Sequence, residues 1–192
     1  MTNCLIAGVG GQGTVLASRL IASAALERGL DVRGCETIGM AQRGGSVLSH
    51  VRLGNNIASP LISPKGADVI LAFEVCEGAR ALRYLKPDGL MIACDRSIQP
   101  AGASGGGYNS DDMLMFIRSR TTRLHVLSAD IINGRCGARS INVAILGAAV
   151  ACGAFPFSME DMEKIIEARF NEVYANMNKI ALRLGERLAL GR

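Results

Sequence analysis

The chain has 192 residues, of which 49% are apolar, 20% charged and only 4% aromatic, the balance of a single soluble α/β domain with an aliphatic core. Its formal net charge of +4 is modest and spread along the chain, and aromatics are too scarce to interleave with it, which excludes a nucleic-acid surface. The longest apolar run, residues 143–155, falls short of the roughly 20 residues that a membrane span requires.

No basic leader or cleavage site precedes the first apolar stretch, so the expected location is cytoplasmic, with no membrane partner. The six cysteines, Cys4, Cys35, Cys76, Cys94, Cys136 and Cys152, are dispersed without any C-x-x-C pair. Iron–sulfur and structural zinc sites need closely spaced thiolates, so these residues are expected to be reduced and mostly buried. Arginine outnumbers lysine 17 to 4, which fits either base composition or recognition of anions and partners by the guanidinium fork.

In chain order, a short apolar strand over residues 4–9 runs into Gly8-x-Gly10-x-x-Gly13 and then a helix over 14–28. Glycines at this spacing allow a tight turn and close backbone approach, and the helix start offers N–H groups and partial positive charge to an anion. A second strand is predicted over 30–33, followed by a glycine-containing loop over 34–45. Residues 47–53 alternate, and with the Gly54-Asn55-Asn56 turn and the apolar run 57–62 they predict a β-hairpin. That hairpin departs from simple βαβ order and makes the sheet mixed.

Alternation of strand and helix then resumes. Strands are predicted over 68–73, 90–94 and 124–127, and helices over 76–85 and 111–119; the glycine-rich 100–109 reads as an exposed loop. The last third is helical. Residues 142–152 are apolar all round, as for a buried helix. Ser158–Asp161 forms a capping-box pattern ahead of a helix over 159–170, and residues 172–190 carry an apolar helical stripe through Val173, Met177, Ile180, Ala181, Leu184 and Leu188. The expected fold is a three-layer, Rossmann-like α/β domain spanning residues 1–192, with a mostly parallel, mixed sheet.

Ligands of open α/β sheets bind beyond the carboxyl ends of the strands. Five segments collect there: 8–13, 39–46, 74–77, 95–97 and 128–130. The candidate contact residues are Gly8, Gly10, Gly11, Gln12 and Gly13, with Gln42, Arg43, Gly44, Gly45 and Ser46, where an arginine and an amide adjoin glycines that expose backbone N–H groups. The alternative is that Gly44-Gly45 only opens the hairpin. Glu36 lies 23 residues beyond Gly13, near the position of a ribose-binding acid, but its segment reads as loop and a solvated glutamate. Arg118, Arg120, Arg123, Arg135 and Arg139 form a basic stretch suited to a phosphate, an acidic partner or plain solvation. His50 and His125 read as hydrogen-bonded strand residues, and Ser140 and Asn142 as caps of the buried helix. No acid, base, nucleophile or metal set for catalysis emerges. Such a chain supplies a binding surface while the chemistry occurs elsewhere.

Gly8-Val-Gly-Gly-Gln-Gly13 together with Arg43-Gly44-Gly45-Ser46 resembles the gamma domain of 2-oxoacid:ferredoxin oxidoreductases. The strand from Gly89 and the segment Asn142–Gly147 fit the same pattern, so that the resemblance covers almost the whole chain. Within the family, the Gly39–Val47 stretch, with its Met-Ala-Gln-Arg, is most similar to the indolepyruvate branch. The resemblance implies a subunit inactive alone. A large companion would carry thiamine diphosphate and [4Fe-4S] clusters and pass electrons to ferredoxin, with coenzyme A as co-substrate capturing the acyl group. This chain would bind none of these prosthetic groups, but would shield the site and contact coenzyme A through the glycine loop and Arg43. Pyruvate, 2-oxoglutarate or branched-chain oxoacids are alternative substrates. A free-standing nucleotide-binding module and a purely structural partner are alternative roles.

Overall fold

The computed structural model describes residues 1–38, 45–98 and 109–191, with the backbone alone at Ile38. Six strands, β1 (Thr2–Val9), β2 (Asp31–Ile38), β3 (Ser46–Gly54), β4 (Ala67–Ala72), β5 (Leu85–Cys94) and β6 (Arg123–Leu127), form one sheet in the order β2-β3-β1-β4-β5-β6. β1, β4, β5 and β6 are mutually parallel, while β3 runs antiparallel to both β1 and β2. The three-layer, mixed-sheet expectation is met.

Alternate residues of the central strands feed two cores. Cys4, Ile6, Val69, Leu71 and Ile92 face α1 (Thr14–Glu27), α4 (Ala129–Cys136), α5 (Ile141–Ala151), α6 (Met159–Arg169) and α7 (Glu172–Ala189). Leu5, Ala7, Ile70, Met91 and Ala93 face α2 (Val75–Ala81) and α3 (Ser110–Arg120). Strands buried on both faces are continuously apolar because neither set of side chains meets water. α5 is the innermost helix, buried at ten successive positions from Ile141 to Val150. It crosses α7 backbone to backbone. A Cβ on Gly147 would enter the Leu182 carbonyl, and one on Gly185 the Ala144 carbonyl, each closer than the 3.0 Å that Cβ contacts tolerate.

Several expectations are corrected. The hairpin is β2–β3, paired from Asp31↔Gly54 to Ile38↔Val47, and residues 57–62 are irregular, although Ile57 and Ile62 are buried. The predicted loop over 34–45 is strand as far as Ile38. Its polar, largely exposed residues are those of a sheet edge, which local pattern does not distinguish from a loop. Glu36 thus lies on an edge strand. The predicted helix 76–85 ends at Ala81 and passes through a 3-10 turn, Leu82–Tyr84, into an early start of β5. α4 has no predicted counterpart; its Ser128 cap and acidic first turn were its available signals. Ser158 and Asp161 do form the capping box of α6. Ser140, at the N-cap, makes no side-chain cap on α5, whereas Asn142 Oδ1 accepts the first-turn Val143 N–H at 2.8 Å; the Ser140 hydroxyl donates to the Cys136 carbonyl at 2.8 Å. Part of the α7 stripe is not packed: Val173, Met177 and Ile180 are exposed, whereas Ala181 and Leu184 are buried.

All six cysteines are unpaired thiols, with Cys4 and Cys94 buried and the other four half-buried, fewer buried than expected. Burial pushes Cys94 up to about 11. His50 is buried and accepts the Ile62 N–H at Nδ1 (3.1 Å). Burial holds its pKa below the ordinary 6.5. The unfolded chain therefore binds a proton more readily than the folded one, so stability contributed by neutral His50 is complete above about pH 6.5 and is lost as pH falls below it. Thermal melts of the parent chain are expected to drop more between pH 7 and 5 than those of a His50→Gln chain; equal drops contradict this assignment.

Candidate functional site

The carboxyl ends of β1 and β4 and the opening of β3 meet around the glycine loop. Gly11 at φ +97° and Gly13 at φ +82° adopt the left-handed conformation that favours glycine. A Cβ at Gly11 would meet nothing within 4 Å, so this exposed residue is where the loop lets another molecule approach the backbone. Gly13 is different. It N-caps α1 without a side-chain cap, and a Cβ there would displace the amide of Asn142, which donates to the Gly13 carbonyl at 3.5 Å. The first-turn N–H groups of α1 have no acceptor within the helix and point beyond the sheet with the positive end of its dipole.

Gln12 turns inward. Its Oε1 accepts the Val9 N–H at 2.7 Å and its Nε2 donates to the Phe73 carbonyl at 3.1 Å, fastening the loop to the ends of β1 and β4. Gly8 leaves the room for it, since a Cβ there would lie 2.8 Å from Gln12 Oε1. The Gly10 N–H donates to the Gly45 carbonyl at 2.8 Å, tying the loop to the start of β3. Thus Gly8, Gly10, Gln12 and Gly13 shape the loop, and Gly11 faces out from it. Ser46, the first residue of β3, donates through its hydroxyl to Glu77 Oε2. Gln42, Arg43 and Gly44 lie outside the described residues.

Two buried acids were not among the candidate contacts, although segment 74–77 was. Glu74 caps α2, accepting the Glu77 N–H at 2.8 Å and the Ile98 N–H at 3.2 Å. Glu77 is matched by Arg80 Nη1 at 2.7 Å. Burying a carboxylate is tolerable only with such partners. The signal available in the sequence was a pair of acids immediately following a continuous apolar strand.

Segments 95–97 and 128–130 also come together. Asp95, Arg96, Ser97, Ala129 and Asp130 line a pocket of about 410 Å³ over the ends of β5 and β6. Asp95 accepts the Ala129 N–H at 2.7 Å, so this second hollow is braced by the start of α4. The 118–139 arginines are spread over four elements: Arg118 and Arg120 end α3, Arg123 opens β6, Arg135 ends α4 and Arg139 sits in a 3-10 turn. Among the described residues no group of three His, Cys, Asp or Glu side chains could hold a metal, and no helix is long and apolar enough to cross a membrane.

Comparisons with known proteins agree with this geometry. Residues 3–188 match the family described as pyruvate ferredoxin/flavodoxin oxidoreductase. Indolepyruvate oxidoreductase subunit IorB of Archaeoglobus fulgidus is 35% identical, the match covering 98% of this chain and 95% of that protein. The protein of the same name in Pyrococcus horikoshii is 34% identical over 97% and 95%. Among solved structures, the pyruvate oxidoreductase subunit PORC of Thermotoga maritima superposes with a TM-score of 0.71 at 25% identity, covering 97% of this chain and 95% of that one. The 2-oxoglutarate:ferredoxin oxidoreductase of Magnetococcus marinus, solved with 2-oxoglutarate, coenzyme A and succinyl-CoA, shares the fold at a TM-score of 0.71 and 21% identity, covering all of this chain and 31% of that one. With its glycine loop, inserted antiparallel strand and near-full-length match, the chain belongs to the pyruvate ferredoxin/flavodoxin oxidoreductase family.

Proposed function

We propose that residues 1–192 form one gamma-type domain, the small subunit of a cytoplasmic 2-oxoacid:ferredoxin oxidoreductase acting on indolepyruvate or a related aryl pyruvate. The observation that carries this reading is the 35% identity, over 98% of the chain, to a subunit of an indolepyruvate oxidoreductase. In the reaction, the bond between the keto carbon and the carboxylate breaks and carbon dioxide leaves. The acyl carbon is joined to the sulfur of coenzyme A, whose thiol proton is released, and the two electrons freed by this oxidation pass one at a time to ferredoxin. The larger companion subunit would hold thiamine diphosphate and the [4Fe-4S] clusters. This chain would cover the companion's site and meet a phosphate of coenzyme A at Gly11 and the α1 N-terminus, with Arg43 as the further contact that the sequence motif suggests. The uncapped helix start and the open space over Gly11 fit an anionic group; they provide no proton-transfer residue.

The fold disfavours the dinucleotide-enzyme reading. In a dinucleotide half, the acid-bearing strand adjoins β1. Here β3 intervenes, placing Glu36 two strand spacings, about 10 Å, from β1.

The test is co-expression with the large companion and assay of coenzyme A-dependent decarboxylation against aryl, pyruvate, 2-oxoglutarate and branched-chain substrates. Activity is expected only in the complex and strongest with aryl pyruvates. Arg43→Ala is expected to raise the KM for coenzyme A on the order of tenfold, a charge-assisted contact's worth, with little change in the melting temperature. Decarboxylation by the chain alone, or a complex indifferent to aryl substrates, overturns the reading.

A further inference from the structure

The largest hollow among the pockets described, about 440 Å³, lies on the α2–α3 face near the amino ends of the strands, away from the glycine loop. Lys65, Arg80, Arg83, Lys86 and Arg120 line it, with Phe116 as part of its apolar wall. Arg80 is matched by Glu77 and Lys86 by Asp68. Lys65, Arg83 and Arg120 are exposed and have no carboxylate partner among the described residues.

Two of these unmatched cations are held in place. The Arg83 guanidinium stacks on Tyr84 at 4.9 Å, and that of Arg120 on Phe116 at 5.3 Å. Stacking orients the fork; Arg83 Nη2 also donates to the Tyr84 hydroxyl at 3.2 Å, and the remaining N–H groups of both guanidinium groups can grip a carboxylate. Lys65 is retained at φ +57°, a backbone conformation that glycine adopts without strain and lysine does not, and its N–H donates to the Arg83 carbonyl at 3.0 Å. Beside the groove, Phe116 and Met115 are exposed on α3. Arginine, aromatic and methionine side chains at one exposed place are the composition of a protein interface.

On the opposite layer, Arg183 meets Glu160, Glu163 and Glu186, and Lys179 meets Glu167, so these two cations are matched where the three in the groove are not. Arg80 and Arg83 also line a second hollow of about 270 Å³ with Ser46 and Glu77, so the groove shares a wall with a hollow nearer the start of β3. We infer that this basic groove is the seat of an acidic segment of the companion subunit, an assignment that rests on the proposed function. Aspartate and glutamate side chains of that segment pair with Lys65, Arg83 and Arg120, and its apolar residues cover Phe116 and Met115. Seated there, the companion runs along α2 towards the glycine loop.

The test measures binding of the full-length chain to its companion at increasing salt. Parent affinity is expected to fall as salt rises. The double variant Arg83→Glu, Arg120→Glu is expected to lose about 100-fold or more at low salt, since like charges then face each other. Lys65→Gly relieves the left-handed strain and should melt no lower than the parent, yet bind several-fold more weakly. Folded variants with unchanged affinity and salt dependence overturn the groove assignment alone, as does a drop in melting temperature without loss of binding, which assigns the cations to complementing helix ends. Failure of the parent chain to bind any companion overturns the proposed function, not the chemistry of the groove.

Discussion

Gly185→Ala is expected to lower the melting temperature by about 5–15 °C and to leave much of the protein insoluble. Two effects compete. Alanine is favoured over glycine inside a helix by about 1 kcal/mol. Against this, the new Cβ would enter the Ala144 carbonyl group, and the neighbour in the way is backbone of α5, which cannot rotate aside. Forcing extra volume into a packed core costs roughly 1–3 kcal/mol, and more where the obstacle is rigid. The helices must separate, loosening Ala181, Leu182 and Leu184 from the main core. A net loss of about 2–4 kcal/mol corresponds to the stated shift for a chain of this size. Gly147→Ala, which meets the Leu182 carbonyl from the other side, is expected to behave alike. Gly134→Ala in α4 is the control: nothing lies within 4 Å of its Cβ, so it is expected to stabilise by up to about 1 kcal/mol. Differential scanning calorimetry of the three variants decides the matter, and equal shifts at Gly185 and Gly134 would refute the close crossing.

The second large effect is expected at Gln12. Alanine there leaves the Val9 N–H and the Phe73 carbonyl without their side-chain partners at a nearly solvent-free strand end. Each unsatisfied group costs about 1–3 kcal/mol, so a loss of roughly 2–4 kcal/mol is expected. Function suffers as well, because the staple sets the path of Gly10–Gly13. Displacing a binding loop by an ångström can reduce turnover about 100-fold, and a fall of 10- to 100-fold in the reconstituted complex is expected. Gln12→Glu separates the two bonds. A carboxylate can still accept from Val9, but it cannot donate to Phe73 and turns an anionic oxygen towards that carbonyl. Gln12→Glu is therefore expected to be no more stable than Gln12→Ala at pH 7 and to recover in part in mild acid. Unchanged melting and turnover in both variants would show that the amide braces nothing.

The site was readable in part. The Gly8-x-Gly10-x-x-Gly13 spacing marked a turn at the top of the first strand, and the turn is there, because positive φ at Gly11 and Gly13 is a local requirement that few other residues meet. The same reading treated Gln12 as a contact like its neighbours. Its inward turn depends on Phe73, 61 residues away, and no local pattern carries that information. Glu74 and Glu77 were placed in the correct segment without a role, since their burial depends on partners from β3, α2 and the segment after β5.

What the sequence by itself determined was the set of elements whose cause is local: continuously apolar strands buried on both faces, the apolar α5, and the Ser158–Asp161 box that starts α6. These follow from side-chain period, cap chemistry and backbone preference within a few residues. Tertiary structure alone decided that β3 pairs with β2 and inserts beside β1, that α5 and α7 touch through Gly147 and Gly185, and that cations from three separate stretches, Lys65, residues 80–86 and Arg120, line one groove. Those outcomes are long-range pairings, selected by which arrangement buries the most apolar surface while satisfying every strand and helix end, and no window of adjacent residues encodes that comparison.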